Sequence, residues 1–182
     1  MINGESYYDE LYTDLSSARY EIFIRGWWIC PELYLKRPSE HYPHSRLDKI
    51  FEKAAKRGVK IYIVLFKEYK GPMPNDSEYV KERLEGIHTN IRIIRHPSSL
   101  RSNLVPLFSM WSHHEKSVVI DQKLCFVGGI DLCYGRYDNE HYWLNEPVKG
   151  GIYILISRNE VSWSRLQQCE SQRLYGHTTL GK

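Results

Sequence analysis

Apolar residues alternate between helical and strand-like spacing along the first sixty residues. Four apolar side chains recur at intervals of three or four residues and predict a first helix: Tyr8, Leu11, Leu15 and Ala18. The run 20–30 then has the composition of a strand. The next helix is predicted from the apolar side formed by Leu47, Ile50, Phe51, Ala54 and Ala55. Gly58 follows this helix at the position expected for a C-terminal cap.

The same order of strand and helix continues further along the chain. The continuous apolar run 61–66 predicts a strand that is buried on both faces. A turn-rich segment at 71–76 precedes a short predicted helix around 79–84 and a strand at 91–95. This βαβαβ order predicts a layered α/β fold. The run 151–156 predicts one more strand near the C-terminus.

The segment 117–127 has the pattern of a β-hairpin. Residues 117–120 are mostly apolar and β-branched, and residues 124–127 resume a strand-like composition. Between them stand the polar residues Asp121, Gln122 and Lys123. We therefore predict a turn at or near Asp121.

The pattern His-x-Lys-x-x-x-x-Asp leads into this hairpin and carries the candidate chemistry. On a strand, His114 and Lys116 point to the same face, whereas Glu115 points away. One face then presents an imidazole, as nucleophile or proton carrier, beside a fixed positive charge, which indicates phosphoryl-transfer chemistry. The same parity places Asp121 on the opposite face from His114, so contact between these two is not expected. The alternative is a surface His and Lys on an ordinary strand.

A double glycine follows the hairpin. Gly128 and Gly129 precede Ile130 and Asp131, and glycine permits a phosphate to approach the main chain closely. We therefore predict that Gly128 and Gly129 share a phosphate-binding pocket with Lys116.

Together these motifs resemble the first of the two HKD motifs of eukaryotic phospholipase D, of the type that also carries PX and PH domains. The resemblance lies in His-His-Glu-Lys at 113–116, Asp-Gln at 121–122 and Phe-Val-Gly-Gly-Ile-Asp-Leu-Cys-Tyr-Gly-Arg at 126–136, with further similarity at 21–28 and 31–38. It implies a layered α/β/α half-domain with a mixed sheet at 1–141. Residues 142–182 are expected to form a divergent tail.

The resemblance also implies a mechanism. In the family, two histidines from two motifs face one phosphodiester: one attacks phosphorus to give a phosphohistidine, and the other protonates the leaving alcohol and later activates water. By this resemblance His114 and Lys116 are catalytic, with Lys116 neutralising the non-bridging oxygens. Asp121 is carried over as a catalytic-motif member with a structural or electrostatic role. Glu140 and Glu146 are candidates for an acid that orients His114.

This sequence contains one such motif, so the second is expected from another chain or from a symmetric copy. The leading hypothesis is a catalytic half that hydrolyses phosphatidylcholine to phosphatidic acid and choline. One alternative is a homodimeric nuclease-like phosphodiesterase. Another is a catalytically inactive module that binds phosphate or a partner. No stripe of basic and aromatic residues stands out, which favours a phospholipid at a membrane surface over nucleic acid.

Composition adds a few limits. The 182 residues, 42% of them hydrophobic, suffice for one compact core, and the net charge of +3 is a mild basic bias. The polar start and the lack of a long apolar run predict a cytoplasmic protein that associates at most peripherally with a membrane. The four cysteines show no Cys-x-x-Cys pair, so neither a metal site nor a cofactor is expected.

Two adjacent tryptophans and one histidine are assigned a location from strand alternation. Trp27 and Trp28 are adjacent on a predicted strand and face opposite sides, so at least one is expected in the core, with an active-site wall as the alternative. His113 is expected to face away from His114 and to serve in packing or in a structural hydrogen bond.

Overall fold

The computed structural model describes residues 1, 3–68, 75–97 and 113–141, together with the backbone of two strands at 143–148 and 152–157. The elements in chain order are α1 (Gly4–Ser17), β1 (Glu21–Gly26), α2 (Leu47–Lys56), β2 (Lys60–Phe66), α3 (Ser77–Glu85), β3 (Ile91–His96), β4 (Ser117–Ile120), β5 (Leu124–Val127), β6 (Trp143–Val148) and β7 (Ile152–Ser157). A short 3-10 turn at Pro43–Ser45 precedes α2.

Five strands form one mixed sheet in the order β3-β2-β1-β4-β5. β1, β2 and β3 are parallel, with α2 and α3 as the connections between them. The β4–β5 hairpin joins antiparallel to β1, so that Ile24 pairs with Ile63 on one side and with Val118 on the other. The predicted βαβαβ unit and the α/β half-domain with a mixed sheet are thereby confirmed. The described helices share one core on one face of the sheet, so the second helical layer of the predicted α/β/α arrangement stays a prediction.

One face of the sheet forms the core. In β1, Ile22 and Ile24 are buried, whereas Phe23 between them is 38% exposed. The predicted burial of 61–66 on both faces is wrong, because Tyr62 is also 38% exposed and stacks on Phe23 across the outer face. The helices bury their apolar stripes in the same core cluster: Tyr8, Leu11 and Leu15 of α1, Leu47, Ile50 and Phe51 of α2, and Val80 and Leu84 of α3.

Helix α2 ends at the cap formed by Gly58, as predicted. Gly58 has φ +97°, a conformation that costs glycine little, and its N–H donates to the carbonyl of Ala55. The N–H of Val59 donates back to the carbonyl of Ala54. This pair of bonds is a Schellman motif, which directs the chain from α2 into β2.

The start of α1 packs directly on the segment that follows the hairpin. The Gly4 N–H donates to the Asp138 carboxylate at 2.7 Å. A Cβ at Gly4 would lie 1.8 Å from the carbonyl oxygen of Arg136, so a larger residue cannot fit without moving the backbone. One helical turn later, the Tyr8 hydroxyl donates to the Asp131 carbonyl at 2.6 Å. α1 therefore fixes the position of the chain around Asp131.

Two sequence-based boundaries change. The predicted strand 20–30 is shorter, as β1 ends at Gly26, because the N–H groups of Trp27 and Trp28 donate to the Asp131 carboxylate instead of to a neighbouring strand. The predicted strand at 151–156 corresponds to β7, which pairs antiparallel with β6 in a separate two-stranded sheet. Most of the predicted turn at 71–76 lies outside the described residues. The division of the chain at 141 stays a prediction.

Candidate active site

His114 and Lys116 lie in the four residues that lead into β4. Because β4 runs antiparallel to β1, its first residue, Ser117, pairs with Arg25 near the end of β1. The motif therefore lies at the edge of the sheet where the parallel strands β1, β2 and β3 have their carboxyl ends. This edge is where open α/β sheets usually bind ligands.

Trp27 is the residue that brings the two motif side chains together. Its indole stacks on Phe66 at the end of β2, with ring centroids 6.0 Å apart and an interplanar angle of 13°. The imidazole of His114 meets it edge to face at 5.3 Å, and Lys116 Nζ lies 5.8 Å from its centroid. The His114 side chain is exposed, whereas Lys116 is only 7% exposed. An accessible imidazole thus stands beside a buried ammonium on a shared aromatic wall.

Asp131 is the buried partner of that ammonium. Lys116 Nζ lies 3.3 Å from Asp131 Oδ2, with side-chain exposures of 6% and 3%, and it donates to the His114 carbonyl at 3.1 Å. The second carboxylate oxygen, Oδ1, accepts the N–H groups of Trp27 and Trp28, each at 3.2 Å. One carboxylate therefore links the Trp27 wall to the Lys116 ammonium.

Sequence reasoning assigned no role to Asp131. A signal was present, since Asp131 is a charged residue within the otherwise apolar run Ile130 to Cys133. An acid in such a run is rarely buried without a cationic partner, and the preceding motif offers Lys116.

Glu115 points away from the site, as its position between His114 and Lys116 predicts. It forms an ion pair with Arg25 at 2.8 Å, with both side chains more than half exposed. The hydrogen bond and charge of Arg25 lower the pKa of Glu115. Glu115 is therefore an acceptor on the outer surface and does not compete with Asp131 for Lys116.

His113 packs beside the site. Its ring lies 6.0 Å from Phe66 and 5.9 Å from His96 at the end of β3. Burial, and then the neighbouring His96, lower the pKa of His113, against the opposing effects of Glu115 and a hydrogen bond with the Leu65 backbone. These contacts agree with the packing or structural role predicted from the sequence.

Asp121 does not reach His114 or Lys116. It lies in the hairpin turn with φ +53°, at the far end of β4, roughly 16 Å along the strand from Lys116. Its carboxylate accepts the backbone N–H groups of Arg19, Tyr20 and Glu21 at 2.9, 2.8 and 3.0 Å. Burial acts to raise the pKa of Asp121, but these three bonds prevail and lower it. Asp121 therefore joins the hairpin turn to the start of β1.

Gly128 and Gly129 lie beside the motif and are exposed. The Gly128 N–H donates to the Lys116 carbonyl at 3.2 Å, which places the double glycine next to the buried lysine. A Cβ at either glycine would meet no atom within 4 Å. No described neighbour requires glycine here, so their phosphate-binding role stays a prediction.

Glu140 and Glu146 are the predicted candidates for an acid that orients His114. Glu140 is exposed and lies 3.7 Å from His141 Nε2. Glu146 is in β6, whose side chains lie outside the described residues. Neither role is tested by these contacts. Within the described parts of the chain, no three His, Cys, Asp or Glu side chains are grouped to hold a metal ion.

The chain is similar to known phospholipase D proteins. The family model for Phospholipase D matches residues 14–150. Phospholipase D zeta 2 of Arabidopsis thaliana is 45% identical over 145 residues, which is 80% of this chain and 14% of that protein. Phospholipase D1 of Rattus norvegicus is 44% identical over 141 residues, 77% of this chain and 13% of its own length. Phospholipase D1 of Cricetulus griseus is 44% identical over 174 residues, 95% of this chain and 16% of its own length.

Among solved structures, NucT from Helicobacter pylori aligns with a TM-score of 0.46 and 15% identity, over 75% of this chain and 74% of that one. The chain spans 14% of the length of the Arabidopsis relative and a similar share of the two mammalian relatives.

Proposed function

Because this chain belongs to the phospholipase D family, we propose that it is the first catalytic half of an enzyme that hydrolyses phosphatidylcholine to phosphatidic acid and choline. The observation that carries the proposal is the pairing of an exposed His114 with a buried Lys116 on the Trp27 ring. A nucleophile needs access to substrate, and a charge that stabilises an oxyanion acts most strongly when water is excluded.

In the proposed reaction, an imidazole nitrogen of His114 attacks phosphorus while the bond from phosphorus to the choline oxygen breaks. The departing choline oxygen takes a proton from an imidazole of the second motif. That imidazole then removes a proton from water, whose oxygen attacks the phosphohistidine and releases phosphatidic acid and free His114. Lys116, with Gly128 and Gly129 as further ligands, holds the non-bridging oxygens during both steps.

The second imidazole must come from outside this motif, because attack and departure occur on opposite sides of phosphorus. His113, the neighbouring histidine, packs instead against Phe66 and His96. We propose that another chain, or a second copy of this one, supplies it. Since the substrate lies in a bilayer, we propose that the enzyme acts peripherally at a membrane surface, in the cytoplasm. Among the described residues, no helix is long and apolar enough to cross a bilayer.

The test is choline release from phosphatidylcholine vesicles, with oligomeric state measured in the same samples. The chain is assayed alone over a range of concentrations, and then with a chain that carries the second His-x-Lys motif of a relative. Turnover is expected only in the assembled state, and His114→Asn should abolish it. His44→Asn is the matched control, because His44 is an exposed histidine in the turn before α2.

Activity that rises faster than linearly with concentration of the single chain would identify a symmetric dimer. Activity that appears on mixing would identify a separate partner. Robust turnover by a verified monomer that survives His114→Asn would overturn the mechanism. Hydrolysis of oligonucleotides instead of vesicles would support the nuclease-like alternative.

A further inference from the structure

We propose that Asp131 is a specificity-determining residue: its carboxylate favours singly charged phosphodiesters over doubly charged phosphate groups at Lys116. The inference rests on the proposed function, because it assumes that Lys116 receives the phosphate. It concerns charge selection, which the motif by itself does not address.

The first support is the burial of the pair. Lys116 Nζ and Asp131 Oδ2 are 3.3 Å apart, and neither side chain is more than 6% exposed. The charge of the Lys116 ammonium is therefore already largely balanced by Asp131. Because both side chains are buried, salt screens the attraction between them only weakly.

The second support is the geometry of the ammonium. A lysine has three N–H donors, and two of the Lys116 partners are identified, the Asp131 carboxylate and the His114 carbonyl at 3.1 Å. A phosphate bound through the remaining N–H would have its phosphorus about 6 Å from the Asp131 carboxylate. The anion thus meets an attractive charge and, slightly farther away, a fixed repulsive one.

The third support is that Asp131 is held in place. Its Oδ1 accepts two backbone N–H groups, from Trp27 and Trp28, and the Tyr8 hydroxyl binds its carbonyl at 2.6 Å. The carboxylate cannot swing away when an anion arrives without breaking these bonds. Its repulsion therefore persists in the bound state.

Charge selection follows from these distances. A diester carries one negative charge, whereas a phosphate monoester near pH 8 carries close to two, because its second ionisation occurs near pH 6. The additional unit of charge gains attraction from Lys116 but is opposed by Asp131. At an effective dielectric constant of about 20, the repulsion of one charge unit at about 6 Å corresponds to about a hundredfold change in affinity.

The experiment compares binding of dimethyl phosphate and methyl phosphate to the full chain at pH 8. In Asp131→Asn, affinity for methyl phosphate should rise about a hundredfold relative to affinity for dimethyl phosphate. The amide oxygen can still accept the Trp27 and Trp28 N–H groups. Asp131→Glu, which keeps the charge, should keep the original preference. A purely structural role for Asp131 would change both affinities alike and leave their ratio unmoved.

Asp48→Asn is the matched control. Asp48 is also a buried carboxylate, held by Arg46 at 2.8 Å and by Arg83 at 2.9 Å, but it lies in α2. Its loss should alter stability without altering the ratio of the two affinities. Folding of each variant is checked by cooperative urea unfolding, and Asp131→Thr supplies a second neutral oxygen acceptor if Asp131→Asn folds poorly.

Lys116→Ala separates the two hypotheses. Lys116→Ala can lower the affinity for both ligands while the neutral Asp131 variants leave the ratio of the two affinities unchanged. In that case charge selection is overturned and Lys116 remains the phosphate ligand. If Lys116→Ala leaves the affinity for both ligands unchanged, Lys116 is not the phosphate ligand. The proposed function then fails together with the inference that rests on it.

Discussion

The indole of Trp27 and the imidazole of His114 meet edge to face, with ring centroids 5.3 Å apart and an interplanar angle of 65°. This contact joins the end of β1 to the segment before β4. It restricts the orientation of an otherwise exposed imidazole at the point where the proposed chemistry needs a fixed nucleophile.

Trp27→Phe should weaken the contact with the His114 imidazole while keeping a ring that stacks on Phe66. We expect turnover in the assembled enzyme to fall several-fold, with a stability loss of about 1 kcal/mol, the usual value of an aromatic pair. Phe23→Leu is the control, because Phe23 forms a similar stack with Tyr62 on the outer face, at 5.3 Å and 20°. It should reduce stability comparably in urea unfolding and leave turnover unchanged. Equal losses of turnover would rule out a specific role for Trp27.

Lys116→Ala should reduce the affinity of the chain for tungstate. A charge-assisted hydrogen bond contributes about 1.5–3 kcal/mol, which corresponds to roughly a tenfold or greater loss of affinity. Lys123→Ala is the matched variant, since Lys123 is exposed in the turn at the other end of the hairpin. Calorimetric titration measures both. Equal affinity in wild type and Lys116→Ala would contradict the assignment.

Asp121→Asn should destabilise the fold by about 1–2 kcal/mol at neutral pH. The amide oxygen can still accept the N–H groups of Tyr20 and Glu21, but the amide NH2 that replaces Oδ2 is a donor and cannot accept the N–H of Arg19. Asparagine tolerates the positive φ of this turn, so the backbone is preserved. Tungstate affinity should not change, because Asp121 lies at the far end of β4 from Lys116.

The pH dependence of this effect has a definite sign. The pKa of Asp121 in the folded state is below its ordinary value of 3.8, so its contribution to stability is complete above that value and is lost as pH falls through the lower folded pKa. Urea unfolding between pH 2 and 6 should show a shallower decline for Asp121→Asn. An identical decline in both proteins would show that Asp121 is not the group responsible.

His113→Gln should alter the pH dependence of stability in a higher range. Because the folded pKa of His113 is lower than its ordinary value of 6.5, the unfolded chain takes up the proton first as pH falls below 6.5. Stability is therefore complete above pH 6.5 and decreases below it. Between pH 5 and 7, the free energy of unfolding of His113→Gln should therefore change less with pH than that of the wild type. His44→Gln, at an exposed position, should retain the pH dependence of the wild type.

The sequence alone determined the order of elements and the position of the motif. Periodicity predicted α1, α2 and the parallel βαβαβ unit, and Gly58 marked the end of α2, because these features depend on local spacing and local backbone conformation. The hairpin with Asp121 in its turn followed in the same way. Parity also placed Glu115 away from Lys116, since alternation along an extended chain is a local property.

Only the tertiary structure decided which residues meet at the site. Asp131 and Trp27 lie 15 residues after and 89 residues before Lys116 in the chain, and no local pattern relates such positions. They converge because β4 pairs antiparallel with β1 and because α1 holds the segment around Asp131. The exposure of Tyr62 and the end of β1 at Gly26 were likewise set by long-range contacts. Packing and the pairing of buried charges depend on the whole fold, so local periodicity does not specify them.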